Sequence, residues 1–171
     1  DHGFTPASIV VDAPYCVFQT RSLGTKCFRN FGNMRGAGAQ TLRWGLEQSR
    51  NLMTVRVADA TGMDNVVAQA KALGVGNYQP VLSIALGAGE TTVMKLTNAY
   101  AQMFNQGRRL EPGLIDYVQD RTGKLLWRRD TRGCPGCNAP EWDGGPMPRP
   151  QGRVEQVMDA RSAYQIVHML E

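Results

Sequence analysis

Few side chains in this sequence combine the type and spacing that chemistry needs. Ser49-Arg50-Asn51 sets a hydroxyl and an amide two residues apart. A hydroxyl can donate and accept at once, and a side-chain amide can donate to a carbonyl. The same triplet also suits a helix junction, because Ser and Asn favour caps over helix interiors. Cys16 and Cys27 are separated by a short polar loop, and Cys134-Pro135-Gly136-Cys137 is a tight CxxC. These local pairs read as two disulfides in an oxidising compartment, as a four-thiolate zinc site, or as free thiols. Only the second pair has zinc-knuckle spacing. His2 and His168 lie far apart, and neither has a His, Cys or carboxylate at ligand spacing. A Ser-His-Asp triad therefore has no supporting motif, and His168 reads as a packed or surface residue. Leu86-Gly87-Ala88-Gly89-Glu90-Thr91 precedes a helical stretch but lacks the Gly-Lys-Ser/Thr ending of a phosphate loop. It reads as a structural loop that lets chains approach closely. Beyond the zinc alternative, no cofactor is implied.

Composition narrows the class. The 171 residues suit about one domain, and 42% hydrophobic content is too high for a disordered chain. A net charge of +4 and a pI near 9.0 raise the question of nucleic acid. The arginines are scattered, at Arg21, Arg29, Arg35, Arg43, Arg50 and Arg56, and no basic run is interleaved with aromatics. No nucleic-acid partner is expected; a mild attraction to anionic membrane surfaces fits the charge equally well. No apolar run approaches the ~18–20 residues that span a bilayer. The Asp1-His2-Gly3-Phe4 start has no targeting-signal pattern.

The elements that must position these residues follow from periodicity. Ile9 to Val11 is a short β-branched run, and Tyr15 to Gly38 reads as irregular. Ala39 to Gln48 turns helical, and Ser49-Arg50-Asn51 joins it to a second helix, Leu52 to Thr61, closed by Gly62. A third helix starts with Asp64 as cap, buries Val66, Val67, Ala70 and Leu73, and stops at Gly74. Thr92 to Asn105 carries the apolar stripe Val93, Leu96, Tyr100 and Phe104. Leu114 to Val118 and Leu125 to Trp127 form a hairpin around Arg121-Thr122-Gly123-Lys124. Residues 133–155 read as a surface insertion rich in Pro and Gly and bearing both CxxC cysteines. Asp159 caps a last helix with the stripe Ala160, Ala163, Tyr164, Val167 and Leu170. Asp1-His2-Gly3 resembles the end of a helix, and Glu171 follows a helix without a C-cap; together they suggest a piece of a longer protein.

The order and wording of several segments add a resemblance. Gly3-Phe4-Thr5-Pro6, Asp12-Ala13-Pro14, Thr41-Leu42-Arg43 with Gly45-Leu46-Glu47, and Ser49-Arg50-Asn51-Leu52-Met53 come in turn. They are followed by Leu86-Gly87-Ala88-Gly89-Glu90-Thr91 and by Ile115-Asp116 with Asp120-Arg121 and Gly123-Lys124. The series resembles the transpeptidase domain of bifunctional, class A penicillin-binding proteins, and the CxxC insertion looks like their alphaproteobacterial branch. The resemblance covers nearly the whole chain.

It implies an α+β fold, mainly helical, of the penicillin-binding and serine β-lactamase type. It carries a β-hairpin and a disulfide- or CxxC-bearing loop insertion. In that family a serine of Ser-x-x-Lys attacks the D-Ala-D-Ala carbonyl, and Lys-Thr-Gly completes the site. Ser49 would relay a proton between the motif lysine and the leaving nitrogen, and Asn51 would hold the substrate carbonyl. The role of Arg50 stays open. Among Ser8, Ser22, Ser49, Ser83 and Ser162, none has lysine three residues on, and no lysine begins Lys-Thr-Gly. The resemblance therefore implies residues 1–171 to be a partial domain. It also implies stem peptides, β-lactams and the rest of the transpeptidase domain as partners, and a parent anchored at the periplasmic face of the bacterial inner membrane. The competing reading is a non-catalytic periplasmic binding or scaffolding module of the same fold, with or without a stabilising zinc.

Overall fold

The computed structural model describes residues 3–22, 24–152 and 155–171. His2 and the Asp1-His2 part of the expected helix end lie outside the described residues. The chain forms two compact units, Asp1–Leu110 with Gln156–Glu171, and Glu111–Glu155.

The larger unit begins with β1 (Ile9–Asp12), whose alternating burial turns Val10 and Asp12 inward. β2 (Tyr15–Thr20) and β3 (Gly24–Phe28) form an antiparallel hairpin. The stretch expected to be irregular is therefore half sheet. Cys16 faces Cys27 across the ladder with Cα atoms 4.0 Å apart, and the two are joined as a disulfide. β4 (Gly38–Thr41) pairs with β1, where a helix was expected from Ala39. The non-local pairing overrides local helix propensity, and Thr41 then caps α1 (Leu42–Glu47) by accepting from the Trp44 N–H.

α2 (Asn51–Thr61) is the buried centre. Leu52 and Val55 pack with Phe28 of the hairpin, and Tyr15, Val17 and Leu82 close over them. Arg56 fastens the β1–β2 connection by donating to the Ala13 and Pro14 carbonyls at 3.2 and 3.0 Å. The Tyr15 hydroxyl donates to Asp59, and that hydrogen bond pushes the phenol's pKa up. α1 and α2 approach closely because residue 45 is glycine: a Cβ there would fall 2.6 Å from Met53 Cε.

α3 (Met63–Ala72) is capped by Gly62, two residues before the expected cap Asp64, and of the four expected core residues only Leu73 is fully buried. The Leu86–Thr91 loop does bring chains close. The Tyr78 ring lies where a Cβ on Gly89 would come within 2.5 Å, and its hydroxyl donates to the Glu90 carbonyl at 2.9 Å.

α4 (Val93–Phe104) and α5 (Ala160–Leu170) form where expected, but α4 turns a different face inward and α5 buries only part of its expected stripe. Val93, Leu96, Tyr100 and Phe104 are 84%, 44%, 46% and 65% exposed. Ala99 and Gln102 are buried instead, with Gln102 Nε2 donating to the Leu73 carbonyl at 2.8 Å. In α5 the buried residues are Ala163 and Met169, while Tyr164 and Leu170 of the expected stripe stay exposed. Asp159 caps α5, accepting from the Arg161 and Ser162 N–H groups. The Arg161 side chain, then its backbone N–H, hold the Asp159 carboxyl down to about 2. The cap is thus charged at neutral pH and is lost only as pH falls through that value. Arg43 of α1 ties down the end of α5 by donating to the His168 carbonyl at 3.0 Å.

The smaller unit holds the hairpin β5 (Tyr117–Gln119) and β6 (Leu125–Arg128). Asp120 closes its turn by accepting from Thr122 and Lys124. Cys134 and Cys137 are joined as a disulfide, and Gln151 N donates to the Gly133 carbonyl at 2.7 Å. Both cysteine pairs are thus committed to disulfides, which removes the four-thiolate zinc reading. No helix among the described residues is long and apolar enough to cross a membrane.

The Cys16–Cys27 disulfide spans 11 residues. Loop-closure entropy makes it worth about 3 kcal/mol. A Cys16→Ser, Cys27→Ser variant should lower the unfolding free energy obtained from urea titration by that amount, whereas opening Cys134–Cys137 should lower it less.

Candidate functional site

The junction of α1 and α2 puts Ser49-Arg50-Asn51 on a tight turn. Ser49 N donates to the Leu46 carbonyl at 3.0 Å and Arg50 N to the Gly45 carbonyl at 2.9 Å. Those two bonds define a Schellman end to α1, with Ser49 at the left-handed position and φ of 50°. Glycine usually occupies that position, because a Cβ there costs roughly 1–2 kcal/mol. Ser49 is exposed, and its hydroxyl has no hydrogen-bond partner among the described residues. A strained backbone thus presents an uncommitted hydroxyl to solvent.

Arg50 is tied to β1, and Asn51 and Leu52 to the segment that follows β3. Arg50 turns inward, with its Nε 2.9 Å from Asp12 Oδ2 and side-chain exposures of 11% and 0%. The contact is an ion pair rather than a linear hydrogen bond, since that N–H is not aligned on an acceptor. The guanidinium also donates to the Arg35 carbonyl at 3.3 Å and lies 5.2 Å from the Trp44 ring centre. Asn51 Nδ2 donates to the Arg29 carbonyl at 3.2 Å. One amide hydrogen is therefore engaged with the protein, and the second hydrogen and Oδ1 remain for other contacts. The Leu52 N–H donates to Asn30 Oδ1 at 3.2 Å.

Asp12 gathers these anchors. Its Oδ1 accepts from Asn30 Nδ2 at 2.9 Å, and its Oδ2 accepts from the Ala37 N–H at 3.0 Å while facing Arg50. A cleft of about 460 Å³, lined by Phe28, Arg29, Asn30, Met34, Arg35 and Leu52, adjoins the turn.

Of the residues singled out by sequence, Ser49 and Asn51 share this turn. Cys16 and Cys27 brace the hairpin that leads to Arg29 and Asn30, so their contribution is structural. Cys134 and Cys137 belong to the smaller unit. His168 is exposed, stacks on Tyr164 with ring centres 5.9 Å apart, and lies 3.1 Å from Glu171 Oε2. Among the described residues no group of three or more His, Cys, Asp or Glu could hold a metal. Sequence reasoning missed Asp12 and Asn30, and left Arg50 unassigned. Asp12 ends a β-branched run, where a buried carboxylate is unusual, but nothing local pairs it with residue 50.

Residues 12–171 match the model of the penicillin binding protein transpeptidase domain. This chain belongs to that family. Penicillin-binding protein 1A of Rickettsia prowazekii (strain Madrid E) is 38% identical to it over 173 residues, covering 99% of this chain and 22% of that protein. Penicillin-binding protein 1A of Neisseria meningitidis (serogroup A) is 29% identical over 95% of the chain and 18% of that protein. The chain thus spans about a fifth of the length of the curated relatives it matches. Among solved structures, penicillin-binding protein 1A from Haemophilus influenzae superposes with a TM-score of 0.80 at 26% identity, covering 99% of this chain and 27% of that one. PonA1 from Mycobacterium tuberculosis shares the fold at a TM-score of 0.73 and 18% identity, over 99% of this chain and 42% of that one.

Two stability changes test this geometry. Asp12→Ala leaves the Arg50 charge buried without its partner and should lower the free energy of unfolding by about 3 kcal/mol. Ser49→Gly relieves the left-handed strain but adds roughly 0.5–1 kcal/mol of unfolded-state entropy. It should leave the urea midpoint unchanged or raise it by the equivalent of up to about 1 kcal/mol.

Proposed function

We propose that residues 1–171 are the central part of a DD-transpeptidase domain in a bifunctional peptidoglycan synthase. In this reading the domain cross-links D-Ala-D-Ala stem peptides through a serine acyl-enzyme and is acylated by β-lactams. The observation that carries it is the exposed, uncommitted hydroxyl of Ser49, held in a strained turn beside Asn51, in a chain belonging to the transpeptidase family.

The nucleophilic serine and its lysine come from outside residues 1–171, as does the Lys-Thr-Gly strand. As the serine Oγ bonds to the carbonyl carbon of the penultimate D-Ala, the C–N bond to the terminal D-Ala breaks. The proton leaving that serine passes to the lysine, and Ser49 relays it onward, giving its hydroxyl proton to the departing nitrogen as it takes one from the lysine. The free amide hydrogen of Asn51 donates to the substrate's carbonyl. Attack by an acceptor amine completes cross-linking, and attack by water gives carboxypeptidase activity. The exposed stripe of α4 is a surface on which the remainder of the domain would pack. Residues 133–155 serve as a surface insertion. The parent adds glycosyltransferase activity and is anchored at the periplasmic face of the inner membrane, where the two disulfides are stable.

Labelling with a fluorescent penicillin tests the reading. The complete protein should label covalently, and the isolated 171-residue chain should not. Ser49→Gly and Asn51→Ala in the complete protein should each slow labelling by roughly 10²-fold or more. Covalent labelling of the isolated chain would sink the partial-domain reading, and undiminished labelling of Ser49→Gly would sink the role given to its hydroxyl.

A further inference from the structure

We infer that Asp12 and Arg50 are positioning residues for the proton-relay turn: their buried ion pair, with Asn30 as a second arm, holds Ser49 in its left-handed conformation and sets the rate of acylation. This deepens the reading above and rests on it.

The argument begins with strain. A non-glycine residue at φ 50° persists only where its surroundings over-determine it. The two Schellman bonds on the α1 side would be satisfied as well, or better, with glycine. Those bonds close the turn for either residue, so what offsets the added strain of a serine is sought on the far side of the turn. That side carries three consecutive anchors: the Arg50 guanidinium, the Asn51 amide and the Leu52 N–H. Two of the three converge on one carboxylate. Arg50 reaches Asp12 directly, and Leu52 reaches it through Asn30, whose Oδ1 accepts from Leu52 while its Nδ2 donates to Asp12. Asn51 is held by the carbonyl of Arg29, next to Asn30, so it moves with the same loop.

The Asp12 carboxylate is fully buried and faces one cation, Arg50, and two N–H donors. Arg50 has little freedom of its own. The Trp44 ring, Met34 Sδ and the Arg35 carbonyl flank its guanidinium. Losing either partner would leave a charge in a poorly solvated site and release the start of α2. The motif would remain, with its hydroxyl no longer aimed. Misplacement of a catalytic group by about 1 Å can cost 10²-fold in rate without loss of binding.

The test uses the complete protein, with benzylpenicillin acylation resolved into a dissociation constant and an acylation rate constant by stopped flow. Asp12→Asn and Arg50→Met should each lower the rate constant by roughly 10–10²-fold and leave the dissociation constant within about twofold. The double variant should lose little more than either single one, because both act through one contact. Arg50→Lys keeps the charge without the planar fork and should recover part of the rate; it also serves if Arg50→Met does not fold. Tyr15→Phe removes the bond to Asp59 elsewhere on α2 and is the control for general destabilisation. It should lower the melting temperature and leave the rate constant unchanged. Wild-type rate constants in Asp12→Asn and Arg50→Met would overturn the proposal. So would a loss of rate in Tyr15→Phe matching theirs at equal loss of melting temperature. Undiminished acylation of Ser49→Gly marks failure of the underlying functional reading, separately from these outcomes.

Discussion

A buried charge has to be answered, and in this chain Asp12 is answered from three directions. Its carboxylate accepts from the Asn30 side chain and the Ala37 backbone and faces the Arg50 guanidinium. Asp12 stands on β1, and its partners stand on the segment between β3 and β4 and at the start of α2. Left unpaired, an ion in that position would cost several kcal/mol, so the three elements can come together in few other ways. The apolar contacts then build outward: Phe28 of the disulfide-braced hairpin on Leu52 and Val55, and Gly45 letting α1 lie against Met53.

In the proposed reading, the tension between stability and function is concentrated at Ser49. The turn would be more comfortable with glycine, yet serine stands there with its hydroxyl free. Strain at one residue, offset by three anchors on the residues that follow, is the pattern expected where a side chain must be held ready rather than buried. The exposed stripe of α4 is a second departure from what a self-contained core would select. Val93, Leu96, Tyr100 and Phe104 keep a helical period and lie largely open. The chain spans only about a fifth of the length of its relatives.

Helix existence was legible in the sequence because the signals are local. Thr92 and Asp159 accept from the first turns of their helices, as their residue types suggest. The α1–α2 break at Ser49-Arg50-Asn51 was legible for the same reason. The hairpin of β2 and β3 was hidden by the density of Gly and Asn that follows it, although Tyr15, Val17, Cys27 and Phe28 carry strand-type side chains. β4 was hidden because its pairing with β1 spans about thirty residues. The inward face of α4, and part of that of α5, differ from the expected stripes because hydrophobic periodicity locates an apolar face without saying what covers it.

Sequence alone determined the family and the position of Ser49 and Asn51 at a helix junction. Each of these is carried by neighbouring residues in a fixed order. Tertiary structure decided what Arg50 does, that Ser49 occupies a left-handed turn, and that Asp12 and Asn30 belong to the candidate site. Residues 12, 30 and 50 meet only when β1, the hairpin and α2 pack together. The meeting is selected by the electrostatics of burying one carboxylate, and that quantity has no local signature in the chain.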